Sequence, residues 1–447
     1  ILHDQNQVVH QTGKHTNDQQ AGHGNADGGK RHKTMAEHIV DTFTEKISKI
    51  MKNRIIAALL VAVMSLSLLT GCHDSSGGAA IEVSQTDYDP AEAVKDFEFR
   101  DLNDFEKDYV VEMGYFNCDH MVCSIIGEKA GIYEALGLNV NLTKSPETVN
   151  ALISGAMDVG YIFFSKNLMQ ESSPLFQASA NHIGGSRYLV VNPDVVDIND
   201  PKTLEGKRIG AVSETSTNSE WRKWSEEYGF SYNEEDYELV TMGQQDAMFA
   251  LKAGQIDAFT CCDPYASMAE FEGFGKVMCI SWGANLEEGE LLTDENASTC
   301  CSYAMSKEFR EKCPELSRRM IYAHMLAVQY LYTHPYNAAL MFADGFDAHP
   351  YVGLRTVYMK CVAEGRTITW QWSEQNMINN EEFDLQWENP SIPEEDIIFV
   401  KDSQDSLKLS GEIFEDAGVP DFNEFIANEV DDKFPLGMTF EDWYNAA

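Results

Sequence analysis

The stretch YVVEMGYFNCDHMVCSIIGEKAGIYEALGLNVNL, residues 109–142, decides the fold. Its first seven residues are rich in the β-branched and aromatic types that suit a strand. Residues 122–136 then carry apolar side chains at helical spacing and stop at Gly137, and residues 138–142 resume as a strand. A helix of that length between two strands reads as a βαβ crossover, which makes the strands parallel. The alternation continues outward with helix 148–153, strand 159–163, strand 187–191 and a polar turn region over 192–201. A second unit follows: strand 209–212, polar loop 213–218, helix 219–228, strand 238–241, helix 246–251, strand 256–260 and strand 277–281. Strand 299–305 returns, with long helical material over 307–344 and helical segments near 354–364 and 410–417.

At 447 residues the chain has room for two or three domains. Asp and Glu total 72 against 33 Lys and Arg, a formal net charge of −39. Such a surface repels nucleic acid and anionic lipid headgroups, which excludes both as partners. The acidity reads as a solvated surface; gathering a cationic ligand would need acidic residues inside a cleft.

The first hundred residues divide into three segments. Residues 1–50, rich in His, Gln, Asn, Asp and Gly, are expected to be disordered or to lie upstream of the true start at Met51. Lys52 and Arg54 then precede an apolar stretch over 55–69 that ends in Leu69-Thr70-Gly71-Cys72. Fifteen residues cover only part of a hydrocarbon core of roughly 30 Å, so the stretch has the length of a signal-peptide core rather than a spanning helix. LTGC resembles the lipobox of bacterial lipoproteins, which implies lipidation at Cys72. The expectation is a signal peptide over 51–71, a flexible tether over 72–108, and lipid anchorage at the extracytoplasmic face of the cell membrane.

Four further stretches, with the segment EKAGIYEALGLNV (128–140), carry a family resemblance: ALISGAMDVG (151–160), DPKTLEGKRIGAVSETST (200–217), ALKAGQIDAFTCCDPYASMAE (250–270) and GEIFEDAGVPDFNEFI (411–426). In this order the sequence resembles the periplasmic-type binding proteins of ABC transporters for nitrate, sulfonates, taurine and thiamine-pyrimidine precursors. The resemblance covers roughly residues 109–434. It implies an α/β, two-lobed periplasmic-binding-protein-like fold of type II, with the ligand cleft between lobes joined by two crossing strands. Lobe one would combine 109–186 with 300–447, and lobe two would be 187–299. It also implies a monomer without cofactor or catalysis, which captures a small organic ligand, a sulfonate- or nitrate-like anion or a pyrimidine-like heterocycle, and delivers it to an ABC permease. Two other functions remain open: a pyrimidine-precursor-forming enzyme using a Cys/His site, and a receptor feeding a sensor. The export signal weighs against the enzyme, because such biosynthesis belongs in the cytoplasm.

Ligands of open α/β sheets sit beyond the carboxyl ends of strands, where helix N-termini face them. Those ends supply the candidate binding residues: Asn117, Asp119 and His120; Phe164 and Ser165; Ser213, Thr215, Ser216 and Thr217; Asp263 and Tyr265. Each has a plainer role. Asp119, Asp263 and the Ser/Thr loop could be helix caps, and His120 a surface residue. An acid, a histidine and an aromatic together would suit a nitrogen heterocycle better than a bare anion. Besides Cys72 there are nine cysteines, at 118, 123, 261, 262, 279, 300, 301, 313 and 361, none in C-x-x-C spacing. They are expected to be reduced, buried thiols, and no metal is expected; the alternative is a Cys/His metal site near Cys118, His120 and Cys261–Cys262. No nucleophile elbow, P-loop, dinucleotide fingerprint or H-E-x-x-H motif is present.

Overall fold

The computed structural model describes residues 88–163, 172–184, 187–216, 218–281, 296–371, 373–379 and 404–447. Residues 51–71, expected to be a signal peptide, and Cys72 lie outside them. Two five-stranded sheets organise the rest. The first contains β1 (Val111–Tyr115), β2 (Val140–Lys144), β3 (Val159–Phe163), β4 (Leu175–Ile183) and β10 (Thr299–Ser306), in the order β2-β1-β3-β10-β4. The second contains β5 (Arg187–Val191), β6 (Arg208–Gly210), β7 (Glu238–Val240), β8 (Ala258–Cys261) and β9 (Lys276–Ser281), in the order β7-β6-β8-β5-β9. The chain therefore leaves lobe one, built on the first sheet, after β4 and returns from lobe two after β9.

The βαβ units are parallel: β1 pairs with β2 and β3, and β6 with β7 and β8. Two strands run against that direction: β10 lies antiparallel between β3 and β4, and β5 antiparallel between β8 and β9. Both odd strands arrive from the other lobe rather than over a crossover helix, so nothing forces them into the parallel direction. Strand β4 went unforeseen. Its Gln-Ala-Ser-Ala-Asn run is poor in β-formers, yet almost every residue is buried and tertiary partners bond some of its polar side-chain atoms. Ser302 Oγ donates to Gln177 Oε1 at 2.7 Å, and Asn181 Nδ2 donates to the His120 carbonyl.

The helices follow local chemistry. The segment expected to be one helix over 122–136 breaks into α1 (Val122–Lys129) and a short helix at Ile132–Ala135, because Gly131 takes a left-handed φ of 74°. Helix α2 (Thr148–Ile153) packs on the first sheet; α3 (Ser219–Tyr228), α4 (Gln244–Lys252) and α5 (Tyr265–Phe271) serve the second. The long helical stretch after β10 divides at prolines into α6 (Pro314–Thr333) and α7 (Pro335–Gly345), each proline occupying the first turn where its missing N–H costs nothing. Helices α8 (Pro350–Tyr358) and α9 (Gln404–Ala417) follow.

Residues 88–108 are not the tether expected of them. Val94 and Phe97 are buried in the lobe-one core. Glu106 accepts from the Glu315 and Leu316 backbone N–H groups at 2.7 and 3.0 Å, satisfying donors that helix α6 leaves open at its N-terminus. In lobe two, the alternation along β5 splits the core: Tyr188 and Val190 face one apolar layer, Leu189 and Val191 the layer containing Trp221 and Trp224.

Candidate functional site

Strand β1 ends at Tyr115, and the chain turns through Asn117 and Cys118 into a single 3-10 turn, Asp119–Met121, before α1. Strand β8 ends at Cys261, and Cys262-Asp263-Pro264 leads into α5 at Tyr265. These two ends, one from each lobe, meet. The Asp119 N–H donates to the Asp263 carbonyl at 2.9 Å, and Asn117 Nδ2 donates to the Tyr265 hydroxyl. Asp263 itself caps α5: its carboxylate accepts from Ser267 N and Ser267 Oγ, each at 2.8 Å. Arg355 on α8 holds that corner, bonding Ser267 Oγ and lying 3.1 Å from Glu270 Oε2.

Behind Asp119 lies a buried charge cluster. Lys360 Nζ sits 2.9 Å from Asp119 Oδ2 and 2.9 Å from Glu364 Oε2, with none of the three side chains more than 2% exposed. Tyr188 of lobe two donates to Glu364 Oε1 at 3.3 Å. Burial pushes the Asp119 carboxyl up to about 7, against the pull of Lys360, and raises Glu364 likewise. Burial alone would lower the Lys360 ammonium; its two carboxylate partners outweigh that and hold it above its ordinary value. The lysine is therefore charged.

The other side of the 3-10 turn is a Cys/His cluster. His120 Nδ1 lies 3.2 Å from Cys301 Sγ and 3.7 Å from Cys300 Sγ, while Nε2 faces Asp119 Oδ1 at 3.4 Å. The His120 and His182 rings stack at 3.7 Å between centroids, 9° from parallel. Burial holds both imidazoles well below their ordinary pKa, hence neutral, and raises the Cys118 and Cys301 thiols.

Of the residues expected from sequence, the structure brings together Asn117, Asp119, His120, Asp263 and Tyr265. The Ser/Thr loop is engaged within lobe two instead. Thr215 Oγ1 donates to the Tyr232 carbonyl at 2.9 Å and Ser216 Oγ to Glu234 Oε1 at 2.7 Å, while Ser213 is exposed. The cap of α3 is Asn218, which accepts from Trp221 N at 2.8 Å. Phe164, Ser165 and Thr217 lie outside the described residues. In the Cys/His alternative, Cys118 does adjoin Asp119 and His120, and Cys262 lies against Cys118, but Cys261 belongs to the lobe-two core. Sequence reasoning missed Lys360, Glu364, Arg355 and His182, and did not assign Cys300 and Cys301 to the site. The adjacent cysteine pair was the one available signal.

The architecture is that of the two-lobed periplasmic binding proteins. The periplasmic nitrate-binding protein NrtA from Synechocystis PCC 6803 matches with a TM-score of 0.52 and 13% identity, over 75% of this chain and 97% of that one. A protein from Bordetella bronchiseptica RB50 matches with a TM-score of 0.51 and 17% identity, over 72% and 100%. The periplasmic aliphatic sulphonate binding protein SsuA from Escherichia coli gives 0.48 and 13%, over 66% and 96%. The chain belongs to the NMT1-like family, whose profile matches residues 106–343. No curated protein matches it in sequence.

Proposed function

We infer that the chain is the extracytoplasmic solute-binding component of an ABC importer, tethered to the membrane by lipid at Cys72, which captures a small polar organic molecule between its lobes and hands it to the permease. One observation carries the reading. The loops after β1 and β8, from different lobes, meet through Asp119 and Asp263 and through Asn117 and Tyr265. A molecule entering there would touch both lobes and stabilise their closure by its differential affinity for the closed form. Membership of the NMT1-like family supports the same reading, and among the described residues no helix is long and apolar enough to cross a membrane.

The test is native mass spectrometry of protein purified from its host without refolding. One small molecule per chain is expected, with compaction in small-angle scattering when it is returned to stripped protein. A chain that arrives empty, and whose radius of gyration no candidate solute changes, would overturn the reading.

A further inference from the structure

We propose that His120, His182, Cys300 and Cys301 form a binding site for one divalent, thiophilic metal ion of the zinc class. The four side chains each offer a ligand atom, and all four atoms lie within 4.8 Å of one another. Two imidazole nitrogens and two thiolates are a donor set that zinc takes in tetrahedral geometry. With metal–sulfur bonds of about 2.3 Å and metal–nitrogen bonds of about 2.0 Å, the edges of that tetrahedron are about 3.8 Å for S···S and about 3.5 Å for N···S. The measured edges are 3.6 Å between Cys300 and Cys301 Sγ, and 3.2 and 3.7 Å from His120 Nδ1 to Cys301 and Cys300.

The backbone explains how neighbouring cysteines reach one point. Successive residues of a regular strand face opposite sides of the sheet. The β10–β4 ladder, however, shifts register on both sides of Cys301, whose cross-strand partner is His182. Such bulges re-aim side chains and recur beside functional sites. His120 comes in from the turn after β1. Its other ring nitrogen faces the Asp119 carboxylate, the outer-shell arrangement that fixes a metal-ligating histidine and raises its basicity.

His182 is the second, independent pointer. It is fully buried, and neither of its ring nitrogens has a hydrogen-bond partner. Buried polar atoms are nearly always satisfied, so a donor-seeking imidazole facing thiols is a group lacking its ligand. Two thiolates, two neutral imidazoles and a divalent cation sum to zero charge, which suits a buried position. Cys300, half-buried while the other three are closed off, marks the side of entry. Other thiols differ: Cys279 and Cys313 sit among apolar core side chains.

The experiment uses the full chain under a phosphine reductant, with Co²⁺ as the spectroscopic probe and Zn²⁺ as competitor. Expected is a sulfur-to-cobalt charge-transfer band saturating at one ion per chain and abolished by one further equivalent of Zn²⁺. The histidines within residues 1–50 can bind cobalt too, but nitrogen ligands alone give no such band. Cys300→Ser, at the half-buried ligand, should remove about half the band and weaken binding on the order of a hundredfold. His182→Gln should weaken binding while leaving the band intact at saturation, and Cys313→Ala should change neither. Melting curves without metal establish that each variant is folded, and His182→Gln carries the test should Cys300→Ser not fold. A wild type without the band, a band untouched by Cys300→Ser, or a cobalt affinity unchanged by His182→Gln would overturn the site. Neither result bears on capture of an organic solute, which the native mass spectrum reads separately.

Discussion

Replacing Lys360 with methionine removes the cation from between two buried carboxylates and keeps the length of the side chain. Lys360 Nζ is 2.9 Å from both Asp119 and Glu364, and all three side chains are closed to water. Removing one partner of a buried ion pair costs about 3–5 kcal/mol, because the partner charge is left unpaired. Asp119 and Glu364 are both already raised by burial, so each can take up a proton once the lysine is gone. That escape puts the expected loss at the low end, about 3 kcal/mol. An unfolding entropy of about 2.1 cal/mol/K per residue over the roughly 310 described residues gives about 0.65 kcal/mol/K, so Tm should fall by about 5 °C. Differential scanning calorimetry at pH 7, without added solute or metal, reads this directly. Adding Asp119→Asn and Glu364→Gln removes the stranded charges and should return part of the loss. A Lys360→Met protein that melts within 1 °C of wild type, or a triple variant that melts lower still, would show that charge pairing is not what holds this junction.

Gly353→Ala places a Cβ 2.3 Å from the Ala339 carbonyl oxygen where α8 packs on α7; overpacking of this kind costs about 1–3 kcal/mol, read as a lower urea midpoint with an unchanged m-value. His324 is buried, donates to the Ala180 and Thr369 carbonyls, and is held down to about 4 from 6.5 by burial. The unfolded chain therefore binds the proton first on acidification, and the stability present above pH 6.5 is lost as pH falls toward 4. Between pH 7 and 4.5, wild type should lose about 2–3 kcal/mol more than His324→Phe in urea unfolding, and equal losses would refute the assignment. Tyr265→Ala, once the solute is identified, should weaken binding at least about tenfold by calorimetry without lowering α-helical content, through loss of an aromatic contact at the meeting point of the lobes. Cells fed a labelled fatty acid should label the wild type and not Cys72→Ala; equal labelling of both would remove the anchor.

Local pattern was enough wherever an element is bounded by its own punctuation. Helix 148–153 stops before Gly155, and helix 219–228 before Gly229; both glycines take left-handed φ values that end the helix. Strand β4 was illegible because its residues have little strand preference and are held by neighbours from distant segments. The candidate corner split in the same way. Asn117, Asp119, Asp263 and Tyr265 could be read as strand ends, which is a local property. Lys360 and Glu364, four residues apart, look in sequence like an exposed helical ion pair, and only the packing of α8 and its continuation against the 3-10 turn makes them interior. The Ser/Thr loop shows the converse: a pattern suited to a ligand, spent on the turn at 232–234.

The position of β10 has a kinetic consequence. Strands β3 and β4 precede the whole second sheet in the chain, yet they are separated in space by β10, which follows it. The second sheet is contiguous in sequence and can assemble once β9 has been synthesised. The first cannot join its two halves until β10 arrives across a long loop, and closing such non-local pairs is slow. Lobe two should therefore mature first, both on the ribosome and in refolding. Pulse-labelled hydrogen exchange would show amides of β5, β6 and β8 protected before those of β3 and β4. Until then β4, buried in the finished lobe, stands without its partner strand, and that interval is when the nascent chain is most exposed to aggregation.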